Sequence, residues 1–263
     1  MIITTGKAVL ENDVKEAKRL AEKWGTVFRE RKKRSFKSWM QQENDCIYVV
    51  SEKAGDKLYH PKAETPFSFH PSMAWLRVQR LEHGQADPMV DAMKLQPGMR
   101  FLDCTLGFAS DSIVASFVTN EYTTGLEKST YVAEIVRKGL KHWQEKSHAF
   151  NEAMRRIQVC ATDFYDFLTM QPDNAFDVVY LDPMFERAVE SSVHFTPLRY
   201  AAYYDQIERH HVSEALRVAK RRVVIKSSFP HPYIEELGFT FRTRKSTASF
   251  AYAVLEKEGN GYE

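Results

Sequence analysis

Three cysteines in a chain of 263 residues, Cys46, Cys104 and Cys160, are too few, too far apart and of the wrong parity to frame a disulfide-held fold. Their apolar, strand-like surroundings predict reduced, packed thiols and a reducing compartment, the cytoplasm. No His/Cys cluster has the spacing of a metal site. The adjacent His210 and His211 fall on a helix-like segment, where neighbours in sequence face different ways, so no metal is expected. No apolar run reaches the roughly 18 residues of a membrane span, and the N-terminus lacks the apolar centre of an export signal, so no membrane partner is expected either. Glycine is sparse, 11 residues in all, and the G-x-G-x-x-G fingerprint of dinucleotide binding is missing. Internal repeats and low-complexity tracts are absent. Net charge is only +2, which by itself does not point to a polyanionic partner.

What is present is a core-forming composition, 43% hydrophobic, in a chain longer than an ordinary domain of about 100–200 residues. Residues 1–60 predict a small α+β subdomain. Met1–Thr5 is β-like, Asn12 or Asp13 can cap a helix to about Trp24, and Gly25 is placed to end it. Cys46–Ser51 and Lys57–His60 flank the turn Ala54-Gly55-Asp56. Residues 61–71, with prolines at 61, 66 and 71, predict a linker. Charge is unevenly spread: ten Lys or Arg stand against three Glu between Lys15 and Trp39, and Arg217–Lys226 holds five basic residues and no acid. Such patches suit phosphates, although a solvated helix face explains the first equally well.

Residues 72–263 alternate strand and helix. Asp87-Pro88 opens a helix and Pro97-Gly98 ends it. Strands are expected at Arg100–Asp103, Tyr122–Glu127, Arg156–Cys160, Asp177–Asp182 and Arg221–Lys226, with helices near 109–119, 129–146, 163–170 and 199–219 between them. This is a doubly wound, mostly parallel α/β sheet. After a short helix at His231–Leu237, Phe239–Lys245 and Ser249–Glu256 are too close for a crossover helix and predict an antiparallel hairpin. A parallel sheet closed that way resembles the seven-stranded, Rossmann-like sheet of class I S-adenosylmethionine-dependent methyltransferases.

The candidate site follows from where the strands end. Val178–Leu181 is an apolar run typical of a strand covered on both faces, and Asp182-Pro183-Met184-Phe185 follows at its carboxyl end, where open α/β sheets place ligands. A carboxylate and the carbonyl of a proline-fixed turn accept hydrogen bonds from an exocyclic NH2, and the Phe185 ring can lie on a base. Gly107, between the first strand and its helix, permits close backbone approach by a ligand. Glu127, 24 residues after Asp103, can accept both ribose hydroxyls of an adenosine. Thr162 and Asp163 can accept from an adenine amino group, or Asp163 can merely cap the next helix. Asp103, Glu127, Asp163 and Asp182 all fall on one edge of the sheet.

The strings Asp103-Cys-Thr-Leu-Gly107-Phe-Ala-Ser-Asp111, Gly125-Leu-Glu127-Lys128, Tyr180-Leu-Asp-Pro-Met-Phe185 and Lys220-Arg-Arg-Val-Val-Ile-Lys226, with Arg77, Arg80, Gly84 and Gln85 ahead of them, resemble the RsmJ family of 16S ribosomal RNA guanine-N2 methyltransferases. The likeness spans residues 72–256. It implies S-adenosylmethionine as cofactor, with contacts at Ser110, Asp111, Glu127, Lys128, Thr162, Asp163 and Asp182. Asp103, Thr105 and Gly107 of the first loop join that set. It also implies RNA of the small ribosomal subunit as partner and leaves a homo-oligomer open. Asp182, Pro183 and Phe185 are the expected catalytic residues, and Arg77, Arg80, Lys226 and Ser227 the expected phosphate contacts. Two departures stand out. Phe108-Ala109-Ser110 replaces a more glycine-rich stretch with an Arg, and Glu186–Ser191 is nearly neutral where the family is basic. Alternatives are an adenine-N6 methyltransferase, for which Asp-Pro-x-Phe is also suited, a noncatalytic RNA-binding or assembly protein with the same fold, and a nicotinamide oxidoreductase. The missing glycine fingerprint and the terminal hairpin count against the last.

Overall fold

The computed structural model describes residues 1–32, 34–183, 207–227, 232–242 and 250–257. These residues form two compact units. The first holds Met1–His70 together with the helix that begins after Ser129. The second holds Pro71–Lys128 and the described residues from Trp143 onward.

In the first unit a five-stranded sheet has the order β2-β1-β3-β4-β5, with β1 Ile2–Thr5, β2 Val27–Phe28, β3 Ile47–Val50, β4 Lys57–Tyr59 and β5 Phe67–Ser68. β1 runs parallel to β2 and β3, while β3, β4 and β5 are antiparallel neighbours. Helix α1, Glu11–Lys23, joins β1 to β2 and buries Ala17, Leu20 and Ala21. Trp39, from helix α2 Phe36–Glu43, packs with Ile2, Ile47 and Val49. β5 lies inside the stretch expected to be a linker: Phe67 is buried and pairs with Leu58, so three prolines did not prevent strand pairing between them.

A helix at Thr130–His142 belongs to this unit, although it follows a strand of the other. Lys138 donates to Asp56 at 2.7 Å and reaches Glu16 at 2.9 Å. Gly139 faces Phe69, and a Cβ there would sit 2.1 Å from the ring's Cγ. Gly139→Ala is therefore expected to cost about 1–3 kcal/mol through overpacking. Chemical denaturation would check this, and an unchanged midpoint would contradict the packing described.

The second unit is a seven-stranded sheet. Its strands in chain order are β6 Phe101–Asp103, β7 Thr123–Glu127, β8 Ile157–Ala161, β9 Phe176–Leu181, β10 Ala219–Ser227, β11 Thr240–Phe241 and β12 Ala251–Glu256. Their spatial order is β11-β12-β10-β9-β6-β7-β8. β6 to β10 are parallel, and β11 and β12 form the antiparallel edge. The doubly wound sheet with its antiparallel C-terminal strands is thus as the sequence implies. Expected residues 199–206 and the outer part of the hairpin lie outside the described residues. Between β7 and β8 one long helix was expected. The chain instead breaks after His142 and starts again at His148–Arg155, capped by the Ser147 hydroxyl, which accepts from Phe150 N at 3.2 Å.

From β6 the chain winds outward through β7 to β8, then returns to lay β9 on the other side of β6. That reversal creates a switch point between the carboxyl ends of β6 and β9. Beneath it, Leu102, Val179, Leu181, Val223 and Ile225 are fully buried, so the strand ends rest on a continuous core.

Candidate active site

Strand register brings the acidic ends together. Asp103 pairs with Tyr180 on one side and Gly125 on the other, and Glu127 pairs with Ala161. The spatial sequence along the carboxyl edge is therefore Asp182, Asp103, Glu127, Asp163.

The loop after β6 is shaped by its own buried groups. Asp103 is 1% exposed and accepts from Thr105 N at 3.0 Å and from Ser112 Oγ at 2.6 Å. Expected as a cofactor contact, it instead lies beneath the loop and ties it to helix α5, Ser110–Thr119, because burial leaves no oxygen facing solvent. Thr105 Oγ1 in turn accepts from Asp182 N at 2.6 Å. Gly107 adopts φ +49° and donates its N–H to Glu127 Oε2 at 3.2 Å. Ala109, at φ +61°, takes the left-handed turn into α5 without glycine, and Ser110 is the half-buried first residue of that helix. Gly125 makes room for the loop, since a Cβ there would meet Leu106 Cδ1 at 2.4 Å.

Burial pushes the Asp103 carboxyl up to about 7, against the hydrogen bonds from Ser112 and Thr105. An acid with a raised folded-state pKa costs stability as pH climbs from its unfolded value near 4 to its folded value. The Asp103→Asn variant keeps the Thr105 bond through its carbonyl, and its amide can donate to a turned Ser112 hydroxyl. It is expected to lose the fall in melting temperature between about pH 4 and pH 7 that Asp103 gives the wild type. Equal slopes for the two proteins would contradict this.

A second network closes the β9 side. Arg77, from helix α3 Ser72–Glu82, donates to Asp87 at 2.7 and 2.9 Å and also to Asp111 Oδ1. Asp111 Oδ2 accepts from Tyr180 OH at 2.8 Å. Lys226 Nζ lies 3.7 Å from that oxygen and donates to Asp182 Oδ2 at 2.6 Å. Register explains the last contact. Ile225 pairs with Leu181 and Lys226 pairs with Tyr252, so Asp182, Lys226 and Tyr252 form a row across β9, β10 and β12.

Arg77 and Lys226, expected to meet phosphate, are thus already committed to carboxylates. Asp111, expected to touch the cofactor, has both oxygens occupied from within the protein. Burial would raise Asp111, but the charges of Lys226 and Arg77 outweigh it and hold the carboxyl at about 2. For Asp182, burial pushes up, Lys226 pulls down and the charge of Asp111 pushes up again, with a net rise from the ordinary value. Its Oδ1 has no donor among the described residues, and the side chain is 34% exposed. Pro183 follows, half-buried.

The remaining expected residues divide. Asp163 caps the short helix Phe164–Thr169, accepting from Tyr165 N at 2.8 Å, while its other oxygen pairs with Lys128 at 3.0 Å. Capping is observed, and Asp163 sits at the carboxyl edge of the sheet. Thr162 N donates to Glu127 O at 3.1 Å, joining β8 to β7 beside these acids. Arg80 is exposed with no ion pair among the described residues, whereas Ser227 is buried with a hydroxyl that has no partner among them. Phe185 lies outside the described residues, as does Glu186–Ser191. Sequence reasoning missed Tyr180, Ser112 and Asp87 as site-forming groups. Tyr180 was detectable, since it stands two residues before Asp182 on a strand and therefore shares its face. Among the described residues, no three His, Cys, Asp or Glu side chains gather as metal ligands, and no helix is long and apolar enough to cross a membrane.

A sheet of this order, with a positive-φ glycine after its first strand and half-exposed acceptors at the ends of the next two, is an open α/β sheet whose carboxyl edge has polar groups available to a ligand. The family described as "Putative SAM-dependent methyltransferase" matches residues 27–250. The chain belongs to this family, and its cofactor is S-adenosylmethionine. YpiP, an uncharacterized protein of Bacillus subtilis, is 38% identical over 258 residues, 97% of this chain and 99% of its own length. Ribosomal RNA small subunit methyltransferase J of Pseudoalteromonas atlantica is 30% identical over 151 residues, which cover 55% of this chain and 58% of that protein. A crystal structure of a SAM-dependent methyltransferase from Neisseria gonorrhoeae shares the fold, with a TM-score of 0.63 over 99% of this chain and 98% of that one at 15% identity.

Proposed function

We propose that this methyltransferase acts on an exocyclic base amine, guanine N2 of small-subunit ribosomal RNA. The observation that carries the reading is Asp182 at the switch point, with Oδ2 anchored on Lys226 and Oδ1 without a donor among the described residues. The matches to relatives named as small-subunit ribosomal RNA methyltransferases support it. Such an enzyme works where ribosomal RNA is made, in the cytoplasm.

The acceptor set fits the cofactor. Gly107 offers backbone without a side chain, Glu127 suits the ribose hydroxyls, and Thr162 and Asp163 suit the adenine edge, with Lys128 and Ser110 flanking them. Asp103, Thr105 and Asp111 hold the walls rather than the ligand. When bound, S-adenosylmethionine supplies an electrophilic methyl on a sulfonium. Asp182 Oδ1 and the Pro183 carbonyl accept from the NH2 group and turn its lone pair toward the methyl. Lys226 fixes the carboxylate's orientation and favours its ionised form. The amine becomes acidic only as it is alkylated, so the proton passes afterwards to Asp182 or to water. Phe185 is assigned to stacking on the base, which must be unpaired or flipped to enter.

Glu127→Ala removes a charge-assisted acceptor worth about 1.5–3 kcal/mol. It should weaken cofactor binding roughly ten- to hundredfold in a calorimetric titration, with kcat at saturation changing far less. Unchanged affinity would remove Glu127 from the cofactor site. The function itself is tested by supplying methyl-labelled S-adenosylmethionine with unmodified small-subunit RNA, or with DNA of matching sequence. Label in N2-methylguanosine supports the proposal, and label in N6-methyladenosine transfers it to the adenine reading. No measurable binding of the cofactor would leave a noncatalytic RNA-binding protein.

A further inference from the structure

The first unit contains a cavity of about 560 Å³ that the methyl-transfer site does not use. It is lined by two short stretches, Thr5, Gly6, Lys7, Val9 and Val14 on one side and Phe28, Glu30, Arg31 and Lys32 on the other. β1, α1 and β2 make a strand–helix–strand unit with parallel strands, and the cavity lies at the carboxyl ends of those strands. Ligand crevices of α/β sheets form at such ends.

The charges around it are not distributed as on an ordinary helix face. On the outer side of α1 and at the far end of the 29–43 segment, cations are neutralised: Lys15 pairs with Glu11, Arg19 with Glu16 and Arg29 with Glu43. Lys7, Lys18, Arg31 and Lys32 have no carboxylate partner among the described residues, and three of these four line the cavity. Arg34, which lies over the Trp39 ring at 5.3 Å, and Lys37 also lack a carboxylate partner among the described residues. Glu30 is the only acid among the described lining residues. The start of α1 is not the anion site, because Asp13 already accepts from Leu10 N at 3.0 Å and from Glu52 N at 2.8 Å. The side-chain cations of the lining are the groups positioned to hold an anion there.

Phe28 supplies the second half of the chemistry. Its ring lines the cavity beside Val9, an exposed valine, with Lys18 Nζ 5.8 Å from the ring centroid. Arg31 also donates its Nε–H to Arg34 O at 2.9 Å and lies over the Phe36 ring at 4.2 Å. An aromatic face and apolar wall bordered by cations that lack a carboxylate partner among the described residues match unstacked bases on a phosphate backbone, whereas a rigid duplex offers no free base face. We propose that this groove binds a single-stranded segment of RNA, through phosphates on Lys7, Arg31 and Lys32 and a base on Phe28. The proposal deepens the ribosomal RNA reading by giving the substrate a second point of attachment.

The test uses the full chain and a short fluorescent single-stranded RNA, titrated at several salt concentrations. Lys7→Ala, Arg31→Ala and Lys32→Ala combined should lower affinity at least tenfold and flatten the slope of log K against log salt by about 2, near 0.7 for each lost phosphate contact. Phe28→Ala alone should weaken binding severalfold and leave the salt slope unchanged, which separates stacking from charge. In methylation assays the triple variant should raise the RNA KM with kcat and cofactor affinity unchanged. Wild-type affinity and slope in the triple variant would overturn the groove even if RNA is methylated. RNA binding lost in the triple variant, from a protein that methylates no RNA, would uphold the groove and overturn the activity. Binding of anionic lipid vesicles or an acidic protein that the triple variant loses, without RNA binding by the wild type, would also overturn the proposal.

Discussion

Asp182→Ala is expected to lower kcat by about a thousandfold or more, because it removes the acceptor that aims the amine and the first recipient of its proton. The geometry explains why neither of the two nearest described acids substitutes. Asp103 is buried under the loop, and both oxygens of Asp111 are taken by Arg77 and Tyr180. Asp182→Asn is the sharper variant. It keeps the shape, and its amide oxygen can still accept from Lys226, but the group left facing the substrate is then an NH2 that repels another donor. Both variants should retain cofactor affinity within about tenfold, since the acceptors proposed for the nucleoside are Glu127, Thr162 and Asp163. The check is single-turnover methyl transfer beside a cofactor titration. An Asp182→Ala enzyme with near wild-type kcat would refute the catalytic assignment.

Arg77→Met carries the largest expected loss of stability. Arg77 is 18% exposed and joins Asp87, 7% exposed, to Asp111, 13% exposed. Asp87 also caps helix α4, Pro88–Met93, accepting from Met89 N at 3.0 Å and Val90 N at 3.2 Å. Removing the guanidinium leaves two carboxylates facing each other with one cation withdrawn, a change that costs about 3–5 kcal/mol in buried pairs. The pH dependence has a definite sign. Asp111 has a folded-state pKa of about 2, below its unfolded value, so its contribution is fully present above that unfolded value and is lost as pH falls toward 2. The difference between wild type and Arg77→Met should therefore be full at neutral pH and shrink below about pH 4. Denaturant melts at several pH values would show this, and a difference that grows in acid would contradict the network.

Much of the fold was legible because β6 ends in Asp103, β7 ends in Glu127 and the apolar run of β9 is followed by Asp182, and parallel strands buried on both faces leave apolar runs of the β9 kind. The antiparallel edge followed from the short gap between the last two strands. The site was legible only by position along the edge. What a side chain does there depends on register and on the helix packed above it, and neither is written in local sequence. Lys226 looked like a phosphate contact within a basic run, yet register sets it beside Asp182. Arg77 looked like another, yet α3 turns it onto Asp87 and Asp111. Asp103 and Glu127 appeared equivalent as strand-end acids. One is buried under its own loop, while the other is half-exposed at the edge. The strand at Phe67–Ser68 was hidden by its flanking prolines, which allow a two-residue pairing but mask the alternation that announces a strand.

The measurement that bears most directly on the central claim is a comparison of modified nucleotides in small-subunit ribosomal RNA from cells with and without this gene, by mass spectrometry of mapped fragments. One N2-methylguanosine should disappear with the gene and return with the wild-type protein but not with Asp182→Ala. An unchanged modification map, or loss of a methyl group from any other atom, would contradict it.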